Sequence, residues 1–446
     1  MKYFGTDGFR GEANKTLTAD QAYAIGKYMG WYFSQDAKSR PRIVVGRDTR
    51  RSGQMFEAAI VAGLNACGAD AYLVGVLPTP SISYLVETEG FTAGVMITAS
   101  HNPFHDNGIK LIGQGGGKMS ADVLEKIETY IDGLVEIDFA YGENIGKTIV
   151  WDEGKTLYLD HLQKIAAGLD LRGQKIALDC ANGAASSIVR QAFENIGAQE
   201  IIIINDTPDG LNINVDCGST HIEKLSKLIE ARGDIDCGFA FDGDADRCIA
   251  VDGQGKVVNG DKILYVCGKN LSEKGQLAHD MIVTTVMANI GFDKAVEAAG
   301  LHCEHTSVGD KYVHACMCES GYVLGGEQSG HIIFADCENT GDGIVTAFKV
   351  LHATQDAHQS LAVLADELCE FPQLLVNVRV PSKQQALEDT SVRAAINKAE
   401  QDLGDQGRIL VRPSGTEPLI RVLVEAATDE ACQTYCELVA KELRAL

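Results

Sequence analysis

The chain has 446 residues, 45% of them hydrophobic and 23% charged, which excludes a disordered or fibrous protein. That length leaves room for three or four domains of about 100–200 residues each. A formal net charge of −23 excludes nucleic acid or an anionic membrane as the main partner, although a locally basic cleft can still take a small anionic substrate.

Met1–Asn14 (MKYFGTDGFRGEAN) lacks the apolar core of a signal peptide, and no stretch approaches the roughly 18 apolar residues of a membrane span. A cytoplasmic protein without membrane contact is expected. The 13 cysteines are odd in number and scattered, so free thiols are expected. Zinc has little support, because Cys316 and Cys318 form a CxC and no CxxC occurs.

Three segments share one pattern of a short hydrophobic strand, a helix-period run ending at Gly, and a second strand. The first strands are Ile43–Val45, Ile176–Leu178 and Met281–Val286. The helix ends are Ala62–Gly68, Ala192–Gly197 and Ala295–Gly300, with Gly suited to a left-handed terminal position. Strand–helix–strand is the unit of a parallel sheet with helices on its faces. The last segment differs. Leu374–Val380 alternates like a half-exposed strand, Ala386–Leu403 reads as one helix, Arg408–Val411 and Leu419–Glu425 as strands, and Glu430–Leu446 as a final helix. The expected fold is therefore three similar α/β domains with helix-flanked sheets, over 1–149, 150–252 and 253–368, followed by a small α+β domain over 369–446.

Four loops carry the chemistry. Thr98–Pro103 (TASHNP) follows the strand Ala93–Ile97, so Ser100 lies where open α/β sheets place ligands, with His101, Asn102 and Lys110 supplying polar and cationic groups. Taken alone, SHNP is also an ordinary turn. Phe241–Arg247 (FDGDADR) puts Asp242, Asp244 and Asp246 on one side of an extended loop if side chains alternate. Three such carboxylates repel one another unless a cation sits among them, and hard oxygen donors select Mg²⁺ or Ca²⁺. An EF-hand fails, since Arg247 and Gly253 stand where its Gly and Glu belong. Gly325–His331 (GGEQSGH) offers Glu327, Ser329 and His331 to sugar hydroxyls, and it is not a GxSxG elbow. Arg412–Arg421 (RPSGTEPLIR) supplies Arg412, Ser414, Gly415, Thr416 and Arg421 as a cradle for a phosphate dianion. Arg10, in a Gly-rich N-terminal loop, and Gly46–Arg50 (GRDTR) read as softer basic sites or solvated surface. GQGGGK at 113–118 has neither phosphate-loop spacing and reads as a turn.

Taken together and in this order, the four loops resemble the α-D-phosphohexomutase superfamily, over nearly the whole chain. The resemblance implies an isomerase that moves a phosphoryl group within a phosphosugar. It implies three α/β domains and a fourth resembling the TATA-binding-protein fold, around one central cleft. Ser100 is then the phosphoserine nucleophile. One Mg²⁺ per subunit is held by Asp242, Asp244, Asp246 and a phosphoserine oxygen, with Lys110 and Arg247 stabilising charge. Glu327, Ser329 and His331 face the sugar, and Arg412, Ser414, Gly415, Thr416 and Arg421 the phosphate that is not reacting. His101, Lys110 and Arg10 stay open as the general acid/base. Within the superfamily, Gln328 and the opening GTDGFRG look like the branch acting on glucosamine phosphates, with glucosamine 1,6-bisphosphate as intermediate. Glucose or mannose phosphates are the alternative substrates, and a serine-dependent phosphatase the alternative reaction. The resemblance is compatible with a homodimer, which no motif here shows.

Overall fold

The run Ile43–Val45 sits inside a strand, Arg42–Arg47, whose alternate residues feed two different cores. Ile43 and Val45 pack with Ile25, Ile60 and Leu64 on one face, whereas Val44 packs with Ile82, Leu85 and Met96 on the other. A strand buried on both faces explains why its sequence is apolar throughout rather than alternating. The computed structural model describes residues 1–5, 7–35, 39–414 and 418–446.

Around this strand lies a seven-stranded mixed sheet. In spatial order its strands are Phe4–Gly5, Gly8–Glu12, Asp106–Ile112, Ala93–Ile97, Arg42–Arg47, Asp70–Val76 and Thr148–Val150. Arg42–Arg47 is parallel to both of its neighbours, and Asp106–Ile112 turns antiparallel to Ala93–Ile97. A second sheet of five strands is centred on Cys237–Phe241, which is parallel to Lys175–Asp179 and antiparallel to Cys248–Asp252. A third, of four strands, pairs Met281–Thr285 in parallel with His302–Thr306 and continues through Leu324–Gly326 to Ile332–Phe334. The three expected first strands thus lie in parallel pairs, and Gly68, Gly197 and Gly300 all have the expected positive φ.

The chain divides into two compact units. One comprises residues 1–287 and 301–365 and contains all three of these sheets. The other comprises 288–300 and 366–446 and contains a three-stranded antiparallel sheet, Gln373–Arg379, Leu419–Ala426 and Gly407–Pro413, with the helix Asp429–Arg444 packed on it. The helix Ile290–Ala298 belongs to this second unit, where Glu425 accepts the N–H of Ile290 at 2.8 Å. The single helix expected over Ala386–Leu403 is in fact two, Lys383–Glu388 and Thr390–Leu403. Asp389 breaks it: in extended conformation (ψ 136°) its carboxylate caps the N–H groups of Ser391 and Val392. Periodicity carried across the junction because a cap can follow a helix end without disturbing the apolar spacing. All 13 cysteines are free thiols. Among the described residues, no helix is long and apolar enough to cross a membrane.

The N-terminal segment that brings Asp7 and Arg10 to the first sheet is fastened by one side chain. Glu128, on the helix Ala121–Ile131, accepts the N–H groups of Lys2, Tyr3 and Phe4 at 2.7, 2.7 and 2.8 Å. Partial burial would raise its pKa, but the three N–H donors outweigh that and lower it. A depressed carboxylate pKa stabilises the fold above the unfolded value near 4.5 and loses that contribution as pH falls through the folded one. Glu128→Ala should therefore cost about 2 kcal/mol at pH 7. In thermal denaturation followed by circular dichroism, its gap from wild type should narrow below pH about 4.5. A gap that stays constant down to pH 3 would show that Glu128 acts by packing alone.

Candidate active site

The loop Thr98–Pro103 leaves the C-terminal end of a central strand, and its geometry is unusual. Ser100 is buried with φ +52°, the left-handed region that costs a non-glycine residue about 1 kcal/mol or more. A layer of buried polar groups beneath holds it there. The Arg50 guanidinium donates to the carbonyls of Ser100 and Asn102 at 2.8 Å each, and also to those of Pro103 and Asp106. Asp48 balances it at 2.8 Å and accepts from Thr98 Oγ1, while Thr98 Oγ1 in turn accepts the N–H of Ser100. Asn214 Nδ2 adds a second donor to the Ser100 carbonyl at 2.8 Å. The reading of Gly46–Arg50 as solvated surface is corrected here, since Arg50 is 1% exposed and Asp48 0%.

The Asp-rich segment is a tight turn and not the extended loop expected. Ala245 donates its N–H to the Asp242 carbonyl at 3.1 Å and has φ +55°. The three carboxylates still converge, with one oxygen from each lying within 4.8 Å of the others. The turn is pressed against the Ser100 loop. A Cβ on Gly243 would stand 2.4 Å from the Ser100 carbonyl oxygen, so only glycine allows this approach. From the other side, Gly343 N–H donates to the Ala245 carbonyl at 3.0 Å. Asp342 caps the helix that begins there, and Tyr158 donates its hydroxyl proton to Asp342.

Ser100 Oγ donates to Asp242 Oδ2 at 2.5 Å. Lys110 Nζ lies 2.8 Å from Asp244, 3.0 Å from Asp246 and 3.2 Å from Asp7. Asp7 also pairs with Arg10 and with Lys118. Thr79 donates its hydroxyl to Asp244. Burial would lower the pKa of Lys110, but the three carboxylates raise it well above its usual value. Burial would raise Asp7 and Asp246. Lys110 and the neighbouring cationic groups outweigh it and hold both carboxyls well below the usual range. For Asp242, burial and the charges of Asp246 and Asp244 act together and push its pKa up. Among the described residues, Asp244 Oδ1 and Asp246 Oδ1 are buried without a hydrogen-bond partner. An all-oxygen donor set with unsatisfied buried lone pairs fits a hard divalent cation such as Mg²⁺.

Of the three acid/base candidates, Lys110 is committed to carboxylates and Arg10 to Asp7. His101 Nδ1 lies 3.5 Å from Ser100 Oγ and 3.2 Å from the Arg247 guanidinium. Burial, helped by the charges of Arg247 and Arg10, pushes its pKa down to about 4, so the imidazole is neutral at pH 7. Arg247 also donates its backbone N–H to Asp242.

His331 is buried. It accepts the N–H of Gly341 at Nε2, which leaves Nδ1 as the protonated nitrogen, 3.7 Å from Asp246 Oδ1. It therefore joins the carboxylate cluster, and Glu327 and Ser329 occupy the turn before it. Glu327 accepts the N–H of Gly309 at 3.0 Å. A cavity of about 400 Å³ in the first unit is bordered by Lys110, Asp246 and His331, and further by Lys118, Lys311 and His314. In the second unit, Arg412 and Arg421 stand directly opposite each other on adjacent antiparallel strands. Partial burial and the Arg421 charge both lower the pKa of Arg412. The Ser414 carbonyl accepts from Lys383 at 2.7 Å, and Gly415 and Thr416 lie outside the described residues.

Sequence reasoning missed Asp7, Asp48, Arg50, Thr79 and Asn214. A signal existed for the Asp48–Arg50 pair, because it follows a parallel strand at the sheet edge where ligands bind. None existed for Thr79 or Asn214, which meet the site only through tertiary packing.

Family models for phosphoglucomutase/phosphomannomutase match the chain in four consecutive parts: domain I over residues 1–137, domain II over 156–255, domain III over 259–371 and the C-terminal domain over 375–442. A phosphoglucosamine mutase of Lachnoclostridium phytofermentans is 51% identical over 99% of this chain and 98% of its own length. One of Lachnospira eligens is 50% identical over 98% and 97%. A crystal structure of a phosphoglucomutase/phosphomannomutase family protein from Burkholderia thailandensis aligns with a TM-score of 0.80 at 25% identity, over 99% of this chain and 97% of that one. With all four domains matched in order, the chain belongs to the phosphoglucomutase/phosphomannomutase family.

Proposed function

We propose that this chain interconverts glucosamine 6-phosphate and glucosamine 1-phosphate through a phosphoserine at Ser100 and a bound 1,6-bisphosphate. The observation that carries the reading is the buried contact of Ser100 Oγ with Asp242 at the edge of three converging carboxylates, in a chain half identical to full-length phosphoglucosamine mutases.

In the forward direction the P–Oγ bond of phosphorylated Ser100 breaks as a bond forms from phosphorus to O1 of the sugar. As it forms, the O1 proton leaves and Ser100 Oγ, the leaving oxygen, gains one, so the protons balance. His101, whose Nδ1 lies 3.5 Å from Ser100 Oγ, is the imidazole in reach of that exchange, and it takes the proton only when the lone pair of Nδ1 is released from Arg247. After the bisphosphate reorients, the 6-phosphoryl group returns to Ser100 Oγ, which gives up its proton as O6 takes one back. Lys110 and Arg247 place fixed positive charge beside the transferring oxygens, where it need not reorganise. Asp242, Asp244 and Asp246 would hold Mg²⁺, which when bound would neutralise charge on the transferring group. Glu327 and Ser329 are read as sugar-facing, while His331, expected beside them, is buried between Gly341 and Asp246; Arg412, Ser414 and Arg421 are read as a phosphate grip. The buried polar layer suits transfer to a sugar hydroxyl, because Arg50 and Asn214 fix the loop rigidly enough to present Ser100 to two ends of one substrate in turn.

The test follows glucosamine 6-phosphate by phosphorus NMR with Mg²⁺ and a trace of the 1,6-bisphosphate. Glucosamine 1-phosphate should form faster than glucose or mannose 1-phosphate form from their isomers. Ser100→Ala should abolish conversion and remove phosphate from the Ser100 peptide in mass spectra. Release of free phosphate alone would replace the mutase with a phosphatase.

Arg50→Lys keeps a cation for Asp48 but cannot reach four carbonyls at once. Because a displacement of about 1 Å can cost roughly 10²-fold in rate, kcat should fall by that order while KM moves only a few-fold. An unchanged kcat would show that Ser100 is held without Arg50.

A further inference from the structure

The turn Glu327–His331 is tied down by its main chain at two flanking elements. Gly260 N–H donates to the Gln328 carbonyl at 3.0 Å, and Cys248 N–H donates to the Gly330 carbonyl at 2.9 Å. The first contact is close enough that a Cβ on Gly260 would stand 2.1 Å from the Glu327 carbonyl oxygen, so the helix Gly260–Glu273 begins directly against the turn. One side chain reinforces this junction. Gln328 Nε2 donates to Asp261 Oδ2 at 3.1 Å, and Asp261 is fully buried in the first turn of that helix. The amide of Gln328 is thus engaged toward the interior, while Glu327 before it is half-buried and Ser329 after it is exposed.

We propose that Gln328 sets sugar preference as a positioning residue, through its bond to Asp261, and not by touching the sugar. The proposal rests on the mutase reading above. The bond fixes the Gln328 backbone, and with it the placement of Glu327 and Ser329, the two side chains that would meet the sugar. Methionine at this position fills similar volume but has no N–H to donate, so the turn loses its side-chain anchor while its packing stays. A shift of a few tenths of an ångström in two hydrogen-bonding groups suffices to change discrimination between an amino and a hydroxyl substituent, because unmatched polar groups in a closed site are costly.

The experiment compares kcat/KM for glucosamine 6-phosphate and glucose 6-phosphate in wild type, Gln328→Met, Asp261→Ala and the double variant Gln328→Glu with Asp261→Asn. Hydrogen exchange of the segment 326–331 is measured on each full-length protein. Both single variants should narrow the ratio by about tenfold and speed exchange in the segment. The double variant exchanges donor and acceptor, so it should restore the slow exchange and return the ratio to within about threefold of wild type. If Gln328→Met collapses the ratio while Asp261→Ala leaves it unchanged, Gln328 reads the sugar directly and the proposal is overturned. A ratio unmoved in both single variants also overturns it. Should Asp261→Ala fail to fold, the double variant still decides, because it retains the tether without the original amide. If wild type converts neither sugar phosphate, the mutase reading fails on its own, and the exchange data still report whether the tether exists.

Discussion

Three carboxylates placed within 4.8 Å of one another are the constraint on which the first unit is organised. At an effective dielectric near 20, each pair at that distance repels by about 3 kcal/mol, too much for a loop to carry unaided. Lys110 answers it from the first sheet, touching Asp244, Asp246 and Asp7 within 3.2 Å, at which separation each attraction is about 5 kcal/mol in the same medium. The cation comes from one sheet and the carboxylates from a turn of the second. The residue capping the supporting helix, Asp342, follows the third. Charge balance between the first two sheets and the Gly343 N–H bond to the Ala245 carbonyl therefore join three sheets at one point. Loss of one carboxylate would disturb packing as well as ligand binding, and so the cluster is structural and chemical at once.

Ser100 depends on the same logic at a shorter range. Secondary structure alone would not hold Ser100 in a left-handed conformation. The buried Arg50–Asp48 pair does so by spending the guanidinium on carbonyl oxygens that a tight loop turns inward. A lysine has the charge but lacks the planar fork that serves several acceptors at once. The strongly negative net charge of the chain is no obstacle to an anionic substrate, because the basic groups near Ser100 are concentrated by the fold: Arg10, Lys110 and Arg247 come from segments far apart in sequence.

This also explains what could be read beforehand. The parallel pairs were legible because apolar strands and terminal glycines carry their own local signature. Ser100 and the three aspartates were legible because each motif is contiguous. The convergence of the aspartates was foreseen for the wrong reason, since alternation in an extended loop was assumed and a turn with Ala245 at positive φ delivers it. Arg50 reads as surface because burial of an arginine is decided by its acceptors, and the four carbonyls it serves lie 50 to 56 residues away in sequence. The helix over 386–403 was read as continuous because Asp389, an ordinary polar residue in a helical pattern, is recognisable as a cap only by its extended backbone.

The cross-strand pair of Arg412 and Arg421 completes the electrostatic picture of the second unit. Like charges placed directly opposite on antiparallel strands destabilise a sheet, and the Arg421 charge adds to partial burial in lowering the pKa of Arg412. Under the proposed function, a phosphate dianion between the two guanidiniums would turn that repulsion into two charge-assisted contacts. The first unit solves the opposite problem, gathering carboxylates around one amino group. Lys110 answers only part of that charge, since Asp244 Oδ1 and Asp246 Oδ1 are buried without a hydrogen-bond partner, and a hard divalent cation is the group those oxygens suit.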